Sequence, residues 1–146
     1  MSAVSGSPPS TTVLVVDDDP FILEMARTLL EREGMRVVAV SSGAAALARL
    51  AEPAPDLVLL DLGLPDIAGI DVLRHFRAVP AWNVVRILVF TASHEIESLV
   101  RAKQAGASGY VCKPVKPETL RSMVEALLTQ SSLTWLDDYT RAHRQP

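Results

Sequence analysis

Short apolar runs recur along this chain, and most of them end at a residue with a charged or hydroxylic side chain. The runs are Val13–Val16, Val37–Val40, Leu57–Leu60, Ile87–Phe90 and Gly109–Val111. They are apolar throughout and rich in β-branched residues, the pattern of strands buried on both faces of a parallel sheet. Between them, apolar residues return at helical spacing. Phe21, Ile22, Met25, Leu29 and Leu30 lead to Gly34, and Ala44 to Leu50 follow Gly43. Ile70, Leu73 and Phe76 lead to Pro80, and Ile96, Leu99, Val100 and Ala105 lead to Gly106; Leu120, Val124, Leu127 and Leu128 close the series. Strands alternating with helices predict an α/β fold. The expected architecture is a doubly wound, five-stranded parallel sheet in the order 2-1-3-4-5, with five flanking helices.

The 146 residues suit one domain with a real core. Residues 1–11 are rich in Ser, Pro and Gly and are expected to form a flexible tail, 12–130 the domain, and 131–146 an extension or linker. Within the last segment, Leu133, Leu136 and Tyr139 recur every three residues and Thr134-x-x-Asp137 could form a capping box, so a short extra helix and a frayed tail are both open. A net charge of −3 favours neither nucleic acid nor an anionic membrane as a direct partner. No run approaches the ~20 apolar residues of a spanning helix. The N-terminus lacks a signal-peptide pattern, and the single cysteine, Cys112, fits a reducing compartment, so the expected location is cytoplasmic.

The chemistry gathers at the strand ends. The first run delivers Asp17-Asp18-Asp19, the third Asp61, the fourth Thr91 and the fifth Lys113-Pro114. In the order 2-1-3-4-5 these tips converge beside the switch point between strands one and three. Asp19-Pro20 reads as a helix N-cap followed by proline at the first helical position. Asp17, Asp18 and Asp61 remain as three carboxylates that repel one another unless a cation intervenes, and Mg²⁺ suits hard oxygen ligands. With Lys113 and a dication the charges roughly balance, which prepares the pocket for a phosphoryl group. Cys112, inside an apolar strand, reads as a small buried hydrophobe rather than a reactive thiol.

Four motifs carry a resemblance over about Thr12 to Thr129. They are Val15-Val16-Asp17-Asp18; Asp56-Leu57-Val58-Leu59-Leu60-Asp61 with Pro65 and Gly69; Thr91-Ala92; and Gly106-Ala107-Ser108-Gly109-Tyr110 leading to Lys113-Pro114. In order and spacing the chain resembles the receiver domain of bacterial two-component response regulators, of the stand-alone type, whose fold is flavodoxin-like. The resemblance implies that Asp61 accepts a phosphoryl group from a sensor histidine kinase or histidine phosphotransfer protein. It implies Mg²⁺ held by Asp18, Asp61 and the Gly63 carbonyl, with Asp17 acting through water. Lys113 and Thr91 would each bind a phosphoryl oxygen. Thr91 moving inward would let Tyr110 turn from exposed to buried and remodel the surface of helix four, strand five and helix five. That surface would signal to an effector protein or form a phosphorylation-dependent homodimer. Such a chain catalyses only its own phosphorylation and dephosphorylation. Lys113-Pro114 is a candidate cis peptide that would aim the lysine into the site.

The chain departs from the family where larger polar side chains are common, at Gly63 and Ser93. Gly63 offers no side chain to orient a hydrolytic water, so a relatively long-lived acyl phosphate is expected. Ala68 is a poor cap for the helix after Asp61, and Asp66 is expected to cap it instead, with a mobile loop between. The alternatives are a receiver fragment of a larger transcription regulator or hybrid signalling protein, a receiver that is never phosphorylated, and a haloacid-dehalogenase-like phosphatase built on Asp17-x-Asp19. The phosphatase would need a further acidic pair and a cap insertion that the sequence does not display.

Overall fold

The computed structural model describes residues 10–93 and 95–138. The predicted N-terminal tail falls almost wholly on residues 1–9, and Tyr139 onward likewise lies outside the described residues. The elements in order are β1 (Thr12–Val16), α1 (Pro20–Arg32), β2 (Arg36–Val40), α2 (Gly43–Ala48), β3 (Leu57–Asp61), α3 (Gly69–Ala78), β4 (Arg86–Thr91), α4 (Ile96–Gln104), β5 (Gly109–Cys112), α5 (Pro117–Thr129) and β6 (Leu136–Asp137), with short 3₁₀ turns after α2 and α3. The sheet order is β2-β1-β3-β4-β5-β6. All five neighbouring pairs are parallel.

The sheet has six strands, where the sequence predicts five. The sixth is a two-residue edge strand, with Leu136 beside Gly109 and Asp137 beside Tyr110. Neither alternative for the extension holds among the described residues. Residues 131–138 form no helix, because Asp137 accepts a hydrogen bond from the Trp135 indole rather than capping a first turn. Nor does this stretch fray, because it pairs with the open edge of β5.

The sheet separates two apolar layers. Leu14, Val16, Val58, Leu60, Ile87 and Val89 face α2, α3 and α4. Val13, Val15, Leu57, Leu59, Leu88 and Phe90 face α1 and α5. Successive residues of β1, β3 and β4 therefore bury on opposite faces, which is why these strands read as continuous apolar runs. Among the described residues, no helix is long and apolar enough to cross a membrane.

Asp19 caps α1 as expected, its side chain accepting from the Phe21 N–H at 2.9 Å. Asp66 does not cap α3 (Gly69–Ala78), whose N-cap position, Ala68, makes no side-chain cap hydrogen bond. Its carboxylate instead spans to the start of α2, accepting from Gly43 N at 2.8 Å and Ala44 N at 2.9 Å. These two backbone hydrogen bonds hold the Asp66 carboxyl below its ordinary range. The loop predicted to be mobile is thus tied across the sheet end to a second helix. Because the folded state binds the Asp66 proton less tightly than the unfolded chain, this stabilisation is present above about pH 3.8 and is lost as pH falls through the lowered folded value. Asp66→Ala should lower the thermal midpoint at pH 7, and the gap to the parent should close progressively below pH 4. Unfolding curves across that range check this.

Candidate phosphoryl-accepting site

The parallel register brings the predicted side chains together. Asp61 ends β3 opposite Phe90 of β4, one residue before Thr91, and Thr91 lies opposite Cys112 of β5, one residue before Lys113. Asp17 follows β1 directly. Carboxylate oxygens of Asp17, Asp18 and Asp61 lie within 4.8 Å of one another. Asp17 and Asp61 are buried, whereas Asp18 is exposed.

Lys113 bridges the buried pair. Its Nζ is 3.0 Å from Asp17 Oδ2 and 3.4 Å from Asp61 Oδ1. The Lys113-Pro114 bond is cis, as expected. Burial alone would push the Lys113 ammonium down, but Asp17 and then Asp61 outweigh it and hold the ammonium above its ordinary value. The Asp17 carboxyl is pushed up, chiefly by burial and further by the charge of Asp61; the Asp19 N–H at 2.9 Å and the Lys113 ammonium oppose that shift. Gly63 N donates to Asp61 Oδ1 at 2.9 Å, closing a tight turn after β3. Gly69 lets that turn pack: a Cβ there would lie 2.4 Å from Leu62 Cα and 2.5 Å from the Asp61 carbonyl oxygen.

Asp17 Oδ2 is buried and has no well-aligned hydrogen-bond donor despite the nearby ammonium. A buried carboxylate oxygen held only by charge, beside two further carboxylates, fits a hard divalent cation such as Mg²⁺. Asp17, Asp18 and Asp61 are the side chains that would surround it, and the Gly63 carbonyl follows in the same turn.

On the far side, Thr91 Oγ1 accepts from Ser93 N at 3.0 Å. The Ser93 carbonyl accepts from the Tyr110 hydroxyl at 3.0 Å and from the Cys112 thiol at 3.6 Å. Tyr110 is fully buried, and burial raises its phenol to about 12. Cys112 is half-buried rather than buried as its apolar strand predicts, yet burial still raises its thiol, which does not suit a reactive thiolate. The Ser93 carbonyl, a backbone acceptor, leaves no trace in residue identity. Asp66, by contrast, is visible as a polar residue, but local spacing points it to α3, whereas its carboxylate serves α2.

The sequence profile of the response regulator receiver domain matches residues 13–125. This chain belongs to that family. The receiver is 40% identical over 122 residues to the transcriptional regulatory protein KdpE of Mycobacterium tuberculosis, an alignment covering 84% of this chain and 53% of that protein. It is 42% identical over 119 residues to the DNA-binding response regulator MtrA of Mycolicibacterium smegmatis, covering 82% of this chain and 51% of that one. The chain thus spans about half the length of these curated relatives. Among solved structures, the chemotaxis response regulator CheY4 of Vibrio cholerae superposes with a TM-score of 0.78 at 28% identity, covering 82% of this chain and 99% of that one. A LuxR-family two-component response regulator from Aurantimonas gives 0.77 at 35% identity, with 90% and 94% covered. The flavodoxin-like fold and the receiver class expected from the motifs both stand.

Two outcomes follow from the electrostatics. Mg²⁺ at about a hundred times its Kd should stabilise the receiver by about 2.7 kcal/mol. Asp18→Asn should abolish that gain while changing the metal-free stability by less than about 0.5 kcal/mol, as befits an exposed residue; calorimetric melts with and without Mg²⁺ separate the two. Because the folded receiver keeps the Tyr110 proton up to about pH 12, the associated stability is intact below about pH 10 and is lost as pH rises through 12. Tyr110→Phe should flatten that alkaline loss in denaturant titrations.

Proposed function

We propose that this receiver takes a phosphoryl group from a phosphohistidine, on a sensor histidine kinase or histidine phosphotransfer protein, onto Asp61. The transfer depends on Mg²⁺, and the signal passes to an effector protein through the surface of α4, β5 and α5. The observation that carries the reading is the Lys113 ammonium, 3.0 Å from Asp17 and 3.4 Å from Asp61. It neutralises carboxylates that would otherwise repel an incoming phosphate.

Gly63 N and Lys113 both engage Asp61 Oδ1, which leaves Oδ2 to attack phosphorus. The new P–O bond forms as the P–N bond to the donor imidazole breaks, and the imidazole departs with the electron pair. The product is an acyl phosphate. Thr91 Oγ1 accepts from Ser93 N, so its own O–H remains to donate to a phosphoryl oxygen. When bound, Mg²⁺ would supply the positive charge that lets one anion approach another. The chain acts on itself and turns over no other substrate. Its place of action is the cytoplasm, the reducing compartment that the single cysteine suits.

A second reading, a receiver portion of a larger transcription regulator, is favoured by coverage of only 53% and 51% of the KdpE and MtrA relatives. The Asp17-x-Asp19 phosphatase reading loses its second acid, because the Asp19 side chain caps α1.

Incubation with Mg²⁺ and a small phosphodonor should add one phosphoryl mass to the parent and none to Asp61→Asn. Equal mass gain in that variant would overturn the assignment. Lys113→Ala should accept phosphate at least tenfold more slowly. Because position 63 has no side chain to orient water, the acyl phosphate should outlast a half-life of seconds in Mg²⁺ buffer, as measured by decay of the phosphorylated mass.

A further inference from the structure

The edge of β5 is occupied by the chain's own C-terminal segment, through contacts that a trailing tail would not need. The Arg86 guanidinium reaches the carbonyl oxygens of Leu133, Gln130 and Ser131. Leu136 N donates to the Ser108 carbonyl at 3.1 Å, and Asp138 N donates to the Tyr110 carbonyl at 3.2 Å. The Asp138 carboxylate reaches back, both oxygens lying 3.2 Å from Cys112 N. Gly109 permits this approach, since a Cβ there would lie 2.5 Å from the Leu136 carbonyl oxygen. Trp135 packs against the same apolar cluster as Tyr110, Leu99 and Ala102, with the Lys103 ammonium of α4 5.2 Å from its ring centroid.

Building on the phosphoryl-accepting reading above, we propose that the segment Gln130–Asp138 is an in-cis ligand of the α4–β5 face. It holds Tyr110 in its buried position, so that docking of the segment and phosphorylation of Asp61 favour each other, and the docked segment is itself part of the α4–β5–α5 surface that the phosphorylated chain presents to its effector. The strand register sets Asp137 beside Tyr110, and Trp135 closes the gap towards α4. A Tyr110 ring turned outward would need the space that these residues fill. On its inner side Tyr110 is tied to the Ser93 carbonyl, and Ser93 N is tied to Thr91 Oγ1. Thr91, Ser93 and Tyr110 therefore form one connected path from the phosphoryl pocket to the docked segment. A phosphoryl group that draws the Thr91 hydroxyl inward favours the buried Tyr110, which leaves the β5 edge clear for strand pairing. Linkage makes the effect reciprocal: a docked segment raises affinity for the phosphoryl group.

The test uses the full chain with beryllofluoride and Mg²⁺ as the phosphoryl analogue. Hydrogen exchange at the Leu136 and Asp138 amides should slow at least fivefold on binding. Arg86→Ala and Asp138→Ala, which weaken the docked segment, should bind the analogue at least fivefold more weakly. Unchanged or faster exchange at both amides with the analogue bound overturns the proposal. So does a variant whose two amides exchange freely while its affinity stays at the parent value. If either variant fails to fold, the exchange measurement on the parent decides alone. Failure of Asp61 to gain mass from a phosphodonor would remove the phosphoryl-accepting reading and this coupling together. Mass gain without a change in exchange would remove only the coupling.

Discussion

The ion pairing of Lys113 with Asp17 and Asp61 is the interaction around which the rest of the molecule is arranged. Two carboxylates buried at adjacent strand tips are costly, because burial removes the water that would screen them. A single ammonium delivered from β5, across the intervening β4, offsets that cost. It can do so only if β1, β3, β4 and β5 end level with one another. The two apolar layers, each drawing on alternate residues of the same strands, hold them there. The charge arrangement is therefore a demand placed on sheet register, and the fully apolar strands meet it.

Much of this was legible in the sequence because burial on both faces writes itself as uninterrupted apolar runs. The first five strands, the five helices, the Asp19 cap and the convergence of Asp17, Asp61, Thr91 and Lys113 follow from run boundaries and a parallel winding. Two kinds of feature were not legible. The two-residue β6 is too short to show a period of its own, and it exists because an open neighbouring edge and the absent side chain of Gly109 receive it. Asp66 shows the other limit. An acidic residue three positions before a helix reads as a local cap, yet its carboxylate is better satisfied by two N–H groups of α2 more than twenty residues away. Hydrogen bonds between distant segments are set by tertiary placement, which no local spacing rule reports.

The environment beyond Thr91 depends on backbone groups as much as on side chains. The Ser93 carbonyl receives both the Tyr110 hydroxyl and the Cys112 thiol. The short connection between β4 and α4 is thereby linked to two residues of the next strand, so a displacement at one is felt by the others. Those same residues bear the outer edge strand through their own main-chain atoms. Pocket, connecting loop and edge strand are three faces of one hydrogen-bonded unit.

Gly69 carries a consequence for anyone who would diversify this protein. The smallest possible side chain there would overlap the backbone of Leu62 and of Asp61. No neighbouring side chain can step aside to relieve that overlap, because the obstructing atoms belong to the main chain. Randomised libraries should therefore return glycine at this position whether survivors are chosen for solubility or for signalling. Position 63 behaves differently, since a Cβ there would meet only Asp61 Oδ1, at an ordinary contact distance of 3.6 Å. Of the two glycines that follow Asp61 before the body of α3, one is a fixed point and the other is open to tuning.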